Sequence, residues 1–172
     1  MNKLIVLFSL LFSSAAFADP TVMHARELGW EVRFDAPPTV KVEEEGSATA
    51  YRYLGNAGKF NLSLLIENPR CAGGVSNNEQ LRCFLGLLEK MPGLVRQSIR
   101  TNQVPNAVQV SYLTYAQTGE VAIKVLHTHI LFADKGKWGD LHGSVVKPDT
   151  AEMAMLLGLG DAFSFASQPA SP

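Results

Sequence analysis

The chain has 172 residues, with 15 Lys and Arg against 16 Asp and Glu, so its net charge is −1 with the histidines neutral. A nearly neutral chain without a basic stripe is a poor candidate for binding nucleic acid. After the N-terminal segment no apolar stretch approaches the roughly 20 residues that a membrane-spanning helix needs, so we predict no span there. The length suits one domain with its own hydrophobic core.

The first 18 residues have the pattern of a cleavable secretory signal. Lys3 precedes an apolar run, Leu4–Phe12, and the segment ends in Ala16-Phe17-Ala18. A short positive start, an apolar core too short to span a bilayer and an A-x-A site are the parts of such a signal. We therefore predict a signal peptide over residues 1–18 and export into a bacterial periplasm. The mature chain then begins at Asp19, and because no cysteine lies at the cut, no lipid anchor is predicted.

Strands are predicted through the first half of the mature chain. Trp30–Phe34 alternates apolar and polar residues, which is typical of a half-buried strand. Val40–Glu44 and Ala48–Tyr53 are further short strands. Lys59–Glu67 carries apolar residues on both faces, which favours a strand with layers above and below it.

A helix is predicted after these strands. Ser76 and Glu79 have the spacing of a capping box. Apolar residues then recur at helical spacing, and Pro92-Gly93 ends the segment. The apolar positions are Leu81, Phe84, Leu85 and Leu88.

The only two cysteines are Cys71 and Cys83. An even pair in an oxidising compartment predicts a disulfide. The spacing matches no common zinc site, and the C-x-x-C motif of redox proteins is absent. The bridge would tie the predicted helix to the loop that leaves the strand Lys59–Glu67.

The second half is rich in β-structure. Ala107–Tyr115, Val121–Ala133 and Lys137–Val146 are predicted strands, and the last two are joined by a tight turn at Asp134–Lys137. Asp149 begins a closing helix with a second capping box. We predict one globular domain over residues 19–165 and a flexible tail over residues 166–172.

The order strands, helix, strands, helix predicts the α+β class. Strands that are apolar on both faces favour an α/β/α sandwich, with a central, mainly antiparallel sheet covered by helices.

The chain resembles the Mog1/PsbP-like superfamily in the order of its elements. Trp30–Pro37 resembles the opening amphipathic strand, Leu62–Ile66 a central strand, and Lys137–Ser144 the strand that precedes Pro148 and the closing helix. The resemblance implies a sandwich with an antiparallel sheet between helices. It also implies a non-enzymatic module that docks on partner proteins, with no shared catalytic residues to carry over.

Three histidines form the one constellation with potential chemistry. His127 and His129 share a strand face, and a two-residue turn at Lys135-Gly136 would place His129 opposite His142 and His127 opposite Ser144. Two interpretations are open. The three histidines could bind zinc or copper, with Asp140 nearby on the same face. Alternatively they could pack under a helix and form hydrogen bonds to it, and a bulge at the turn would move His142 to the other face.

The sequence predicts a binding protein rather than an enzyme. It contains no G-x-S-x-G, H-E-x-x-H, P-loop or Rossmann motif, although a hydrolase with a scattered active site stays open. We therefore expect an exported, non-enzymatic protein-binding or accessory domain without a cofactor; an immunity factor and an assembly factor are its two concrete versions. The alternative is a periplasmic protein that binds a metal or small ligand through the histidines. Trp138, Tyr51 and Tyr53 are candidates for a contact patch.

Overall fold

The computed structural model describes residues 20–118 and 121–168. The predicted signal peptide, residues 1–18, lies outside the described residues. Within the described part, no helix is long and apolar enough to cross a membrane.

The described chain forms ten strands and two α-helices. In chain order they are β1 (Thr21–Ala25), β2 (Trp30–Phe34), β3 (Val40–Gly46), β4 (Tyr51–Ala57), β5 (Phe60–Glu67), α1 (Asn77–Leu88), β6 (Arg100–Val104), β7 (Ala107–Thr118), β8 (Val121–Asp134), β9 (Lys137–Val146), α2 (Thr150–Leu157) and β10 (Ser164–Ser167).

Seven of these strands make one large antiparallel sheet, in the order β3-β4-β5-β9-β8-β7-β6. The other three make a small antiparallel sheet, in which β2 lies between β1 and β10. Side chains from both sheets share the main core, which has the character of a β-sandwich. Among its buried members are Val32 and Phe34 of β2 and Leu64, Ile130 and Phe132 of the large sheet.

The predicted α/β/α sandwich is therefore wrong, because a second sheet occupies most of the place assigned to helices. The described residues contain only two short helices. The small sheet covers one face of the large sheet together with Leu156 of α2, while α1 packs on the opposite face against β7 and β8. Two of the three strands of the small sheet, β1 and β10, were not predicted.

The burial pattern of β5 explains part of this error. Its buried residues Phe60, Leu62, Leu64 and Ile66 all lie on the face toward the small sheet, while Leu65 on the other face is only half-buried. The strand is thus apolar mainly on one face, as is usual for a strand in a β-sandwich.

The predicted tail also begins too early. Ala166 and Ser167 pair with Glu31 and Trp30 of β2, so these two residues belong to β10. Residues 169–172 lie outside the described residues.

The predicted disulfide is confirmed. Cys71 in the loop after β5 is bonded to Cys83 of α1, and the two Cα atoms are 5.9 Å apart. The capping box at Ser76 and Glu79 is also present. The helix is thus fixed at its first turn and tied covalently to the chain that leaves β5.

Two glycines provide a matched test of packing. Gly139 lies across from Phe132 in the β8–β9 ladder, and a Cβ atom at this position would collide with the Phe132 ring. Gly86 lies inside α1 with open space beside it. We expect Gly139→Ala to lower the free energy of unfolding by about 1–3 kcal/mol through overpacking. Gly86→Ala should raise it by up to about 1 kcal/mol, since alanine is the better helix former.

Urea unfolding of the two variants at neutral pH measures both effects. Equal stability of Gly139→Ala and the wild-type chain would contradict the packing of Phe132 against β9.

Candidate functional site

The β8–β9 hairpin has the register predicted for the histidines. Lys135 and Gly136 both have positive φ, 46° and 78°, as a two-residue turn of type I′ requires. His129 lies directly opposite His142, and His127 lies opposite Ser144. The bulge that would have moved His142 to the other face is absent from this hairpin.

The three histidines lie on the face of the large sheet that carries α1. His129 is the most buried, with 7% of its surface exposed, and its ring centroid is 4.6 Å from that of Phe84 of α1. His127 and His142 are half-buried, farther from the helix. The prediction that histidines pack under a helix therefore describes His129, but its hydrogen bonds go to strands rather than to the helix.

His129 is held between a tyrosine and a carboxylate. Its Nδ1 atom is 2.8 Å from Oδ1 of Asp140, and its Nε2 atom is 3.1 Å from the hydroxyl oxygen of Tyr112. Since a carboxylate can only accept, Nδ1–H donates to Asp140, and a neutral ring then accepts the Tyr112 O–H at Nε2. Burial, and to a smaller extent the charge of Asp140, raise the pKa of Tyr112, which keeps this donor protonated.

A second chain of hydrogen bonds joins the other two histidines. His127 Nε2 is 2.9 Å from Oγ1 of Thr114, and His127 Nδ1 is 3.1 Å from Nε2 of His142. The hydrogen bonds can run in either direction, because the threonine hydroxyl both donates and accepts. Thr114 can donate to His127 and His127 to His142, or His142 to His127 and His127 to Thr114.

The aromatic rings of the cluster are stacked. The rings of His129 and His142 have centroids 4.0 Å apart and planes 9° apart, and Tyr112 stacks on His127 at 4.9 Å. Stacked rings of this kind fill the sheet surface densely.

This environment favours the neutral form of the imidazoles. Burial, with a smaller contribution from the charge of His129, lowers the pKa of His127 to about 4. Burial also holds the pKa of His142 well below its ordinary value, and the neighbouring histidines add to the effect.

The arrangement leaves little room for the metal interpretation. Imidazole lone pairs lie in the ring plane, so stacked rings direct them along parallel planes rather than at one point. Five of the six imidazole nitrogens already have hydrogen-bond partners, and the two that face each other, on His127 and His142, are bonded together. Within the described ranges, no group of three His, Cys, Asp or Glu side chains is placed to hold a metal ion.

The low pKa values predict a loss of stability in acid. At pH values well above 6.5 the histidines are neutral in both the folded and the unfolded chain. As the pH falls from 6.5 toward 4, the histidines of the unfolded chain become protonated, whereas His127 and His142 in the folded chain stay neutral. Stability is then lost at up to about 1.4 kcal/mol per pH unit for each histidine.

Urea midpoints at pH 7.5 and pH 5 measure this loss. His127→Gln should flatten the dependence relative to wild type. The control His24→Gln, at an exposed histidine of β1, should keep the wild-type dependence. Equal pH dependence in all three proteins would contradict the argument.

Zinc titration discriminates between the two interpretations of the cluster. Because the facing nitrogens are engaged in hydrogen bonds, we expect His129→Ala to leave zinc affinity unchanged, as measured by calorimetry. Stoichiometric zinc in the purified protein that disappears in this variant would support the metal site instead.

A further hollow of the described chain lies between the two sheets. It is a groove of about 690 Å³ that runs between β1 and the Arg26–Leu28 turn on one side and β3 and β4 on the other. Tyr51 and Tyr53 line it and are fixed at their hydroxyl ends. Tyr51 donates to Oε1 of Glu44 at 3.0 Å, and the Tyr53 hydroxyl is 2.9 Å from Oγ1 of Thr39.

The predicted contact patch divides between two places. Tyr51 and Tyr53 line the groove, whereas Trp138 is 95% buried and lies in the interior beside Gln80 and Cys83. Trp138 and Tyr51, with 5% and 4% of their surface exposed, are both too buried to serve as surface contacts, so of the three residues only the half-buried Tyr53 remains a candidate.

Sequence reasoning missed Tyr112 and Thr114, which complete the histidine network. Both lie on β7, and both face the histidines because alternate residues of a strand share a face. Two signals could have found them. One is the alternation along Ala107–Tyr115, and the other is Gly119-Glu120, since glycine followed by another residue favours a two-residue type II′ turn that would pair Thr118 with Val121, as the ladder does.

The comparisons with known proteins bear on the fold alone. No family model and no curated protein matches the sequence, so the resemblance to the Mog1/PsbP-like superfamily stays a prediction. A solved structure, that of LpqN, involved in cell envelope biogenesis of Mycobacterium tuberculosis, is similar with a TM-score of 0.51 and 11% sequence identity. The similarity covers 86% of this chain and 91% of LpqN. This chain therefore shares the overall fold of a cell-envelope protein across nearly its whole described length.

Proposed function

We propose that this protein is an exported, non-enzymatic accessory module of the bacterial cell envelope that binds a partner protein. Three observations support export and this location. The first 18 residues have the pattern of a secretory signal, and the Cys71–Cys83 disulfide suits an oxidising compartment. The fold is shared with LpqN, which is involved in envelope biogenesis.

The groove between the two sheets is the observation that carries the binding function. Its volume of about 690 Å³ lies within the range of ligand sites, which is roughly 300–1,000 Å³. One wall is the outer side of β1 and the other is formed by β3 and β4, so the groove is bordered by the outermost strands of two sheets. Such strands carry backbone groups that a partner chain can bind.

The floor of the groove is preorganised. Tyr51 is buried and held by Glu44, so its role is structural. Tyr53 is half-buried, is held by Thr39 and is the aromatic side chain that a partner can contact. Gly55 permits this second contact, because a Cβ atom there would come within 2.7 Å of both the Tyr53 and the Thr39 oxygen. Aromatic side chains that are already fixed lose little entropy on binding, which favours their use at interfaces.

Affinity purification with matched variants tests this proposal. The mature chain serves as bait in periplasmic extract, beside a groove variant, Arg26→Ala with Glu27→Ala, and a control, Glu89→Ala with Lys90→Ala. Each double variant removes one acidic and one basic exposed side chain, and only the first pair lines the groove. We expect a stoichiometric partner with the wild-type bait and the control, and its loss with the groove variant.

The identity of the partner then separates the two versions of the function. A cell-wall hydrolase would support an immunity factor, and a component of the envelope assembly machinery would support an assembly factor. A partner retained equally by all three baits would contradict binding at the groove.

A further inference from the structure

We propose that the free edge of β1 binds an extended, basic peptide segment of the partner as an additional strand of the small sheet. This inference rests on the proposed function, since it names the occupant of the same groove. Among the described strands, the edges that pair with no other strand differ in how well they are protected against strand addition, and this difference supports the proposal.

Four strands lie at sheet edges, and three of them are protected against strand addition. β3 has a bulge between Lys41 and Glu43 and four charged residues in seven. β6 begins with Arg100, and its first four residues are exposed and polar. Bulges and edge charges are the usual means by which proteins prevent unwanted strand pairing.

The edge at β10 is protected in a different way. This strand has only four residues, and Lys135 Nζ donates to the Ser167 carbonyl oxygen at 2.9 Å. Its end is also tied back to the chain beside β2, where Gln168 N–H donates to the Gly29 carbonyl at 2.7 Å. A short strand with its backbone already engaged offers little to another chain.

β1 lacks all of these protections. Its sequence Thr-Val-Met-His-Ala contains no Lys, Arg, Asp or Glu. All five residues pair with β2 in continuous register without a bulge. No other described strand pairs with β1, so its outer N–H and C=O groups face the groove. A regular, uncharged edge beside a groove is the arrangement used by proteins that bind peptides by strand addition.

The charges around the groove indicate the chemistry of the segment. Glu27, Glu44 and Arg26 line the groove, and Glu44 is already paired with Lys41 at 3.0 Å. His24 lies 3.5 Å from Glu31. The Glu27 carboxylate lies over the backbone of Gly46 and has no ion-pair partner among the described residues. Complementarity therefore favours lysine or arginine in the segment.

The same charges disfavour a second copy of this chain as the occupant. A second copy joined at β1 would supply no lysine or arginine from its own strand, since Thr21–Ala25 contains neither, and would leave Glu27 without a partner. Gel filtration tests this point directly, because a dimer that Val22→Lys dissociates would overturn the proposal.

Synthetic peptides test the proposal on the mature protein. The probe is a labelled hexapeptide of alternating lysine and valine. Its acidic counterpart has glutamate in place of lysine, and a third peptide keeps lysine but carries N-methyl groups on alternate backbone nitrogens. Strand addition requires backbone N–H groups, so the third peptide separates it from simple charge attraction.

The expected result is selective binding of the first peptide. Val22→Lys places a charge on the β1 edge and Glu27→Lys reverses the charge in the groove, and each should weaken binding by about tenfold or more. The controls Val121→Lys and Glu89→Lys, at exposed positions away from the groove, should bind as wild type does. Hydrogen exchange should show new protection at the amides of Thr21–Ala25.

Two results would overturn the inference. One is equal binding of the N-methylated peptide, and the other is failure of wild type to bind any of the three. Either can occur while the groove variant still loses its partner in the affinity purification, which would leave the proposed function in place and remove only strand addition. If the peptides do not bind and the groove variant also keeps its partner in the affinity purification, the proposed binding at the groove would be contradicted as well.

Discussion

The pairing of β8 with β9 is the constraint on which most of the structure depends. A one-residue shift would exchange the two faces of β9, so one register decides two environments at once. In the observed register Ile130 and Leu141 face the main core, while His129 and His142 face α1. The type I′ turn at Lys135 and Gly136 fixes this register locally, because its backbone twist matches that of the two strands.

The histidine network shows how a sheet face can be polar and still densely packed. A buried polar group is costly unless it has a hydrogen-bond partner, and partly satisfied networks are worse than apolar packing. Here Tyr112 and Asp140 satisfy His129, and Thr114 and His142 satisfy His127, so both nitrogens of these two rings have partners in the neutral state. Protonation removes an acceptor from it, which makes the stability of this face dependent on pH.

The small sheet accounts for the groove that we propose as the partner site. β2 lies between a strand from the beginning of the domain and one from its end, and the three together cover the core of the large sheet. Because the small sheet has only three strands, β1 ends it beside β3 and leaves the groove between them. The small sheet thus takes the place of the predicted helices and also forms one wall of the proposed partner site.

The sequence by itself determined the features that depend on neighbouring residues. The capping boxes at Ser76 and Asp149, the Cys71–Cys83 pairing and the β8–β9 register all follow from short-range spacing, and the structure contains each of them. Only the tertiary structure decided the second sheet and the groove. β1 and β10 are four or five residues long and become strands because β2 lies between them. β10 is paired by residues distant in sequence, which no local pattern records, whereas β1 joins β2 as a hairpin across residues 26–29 and is too short to show a clear alternation.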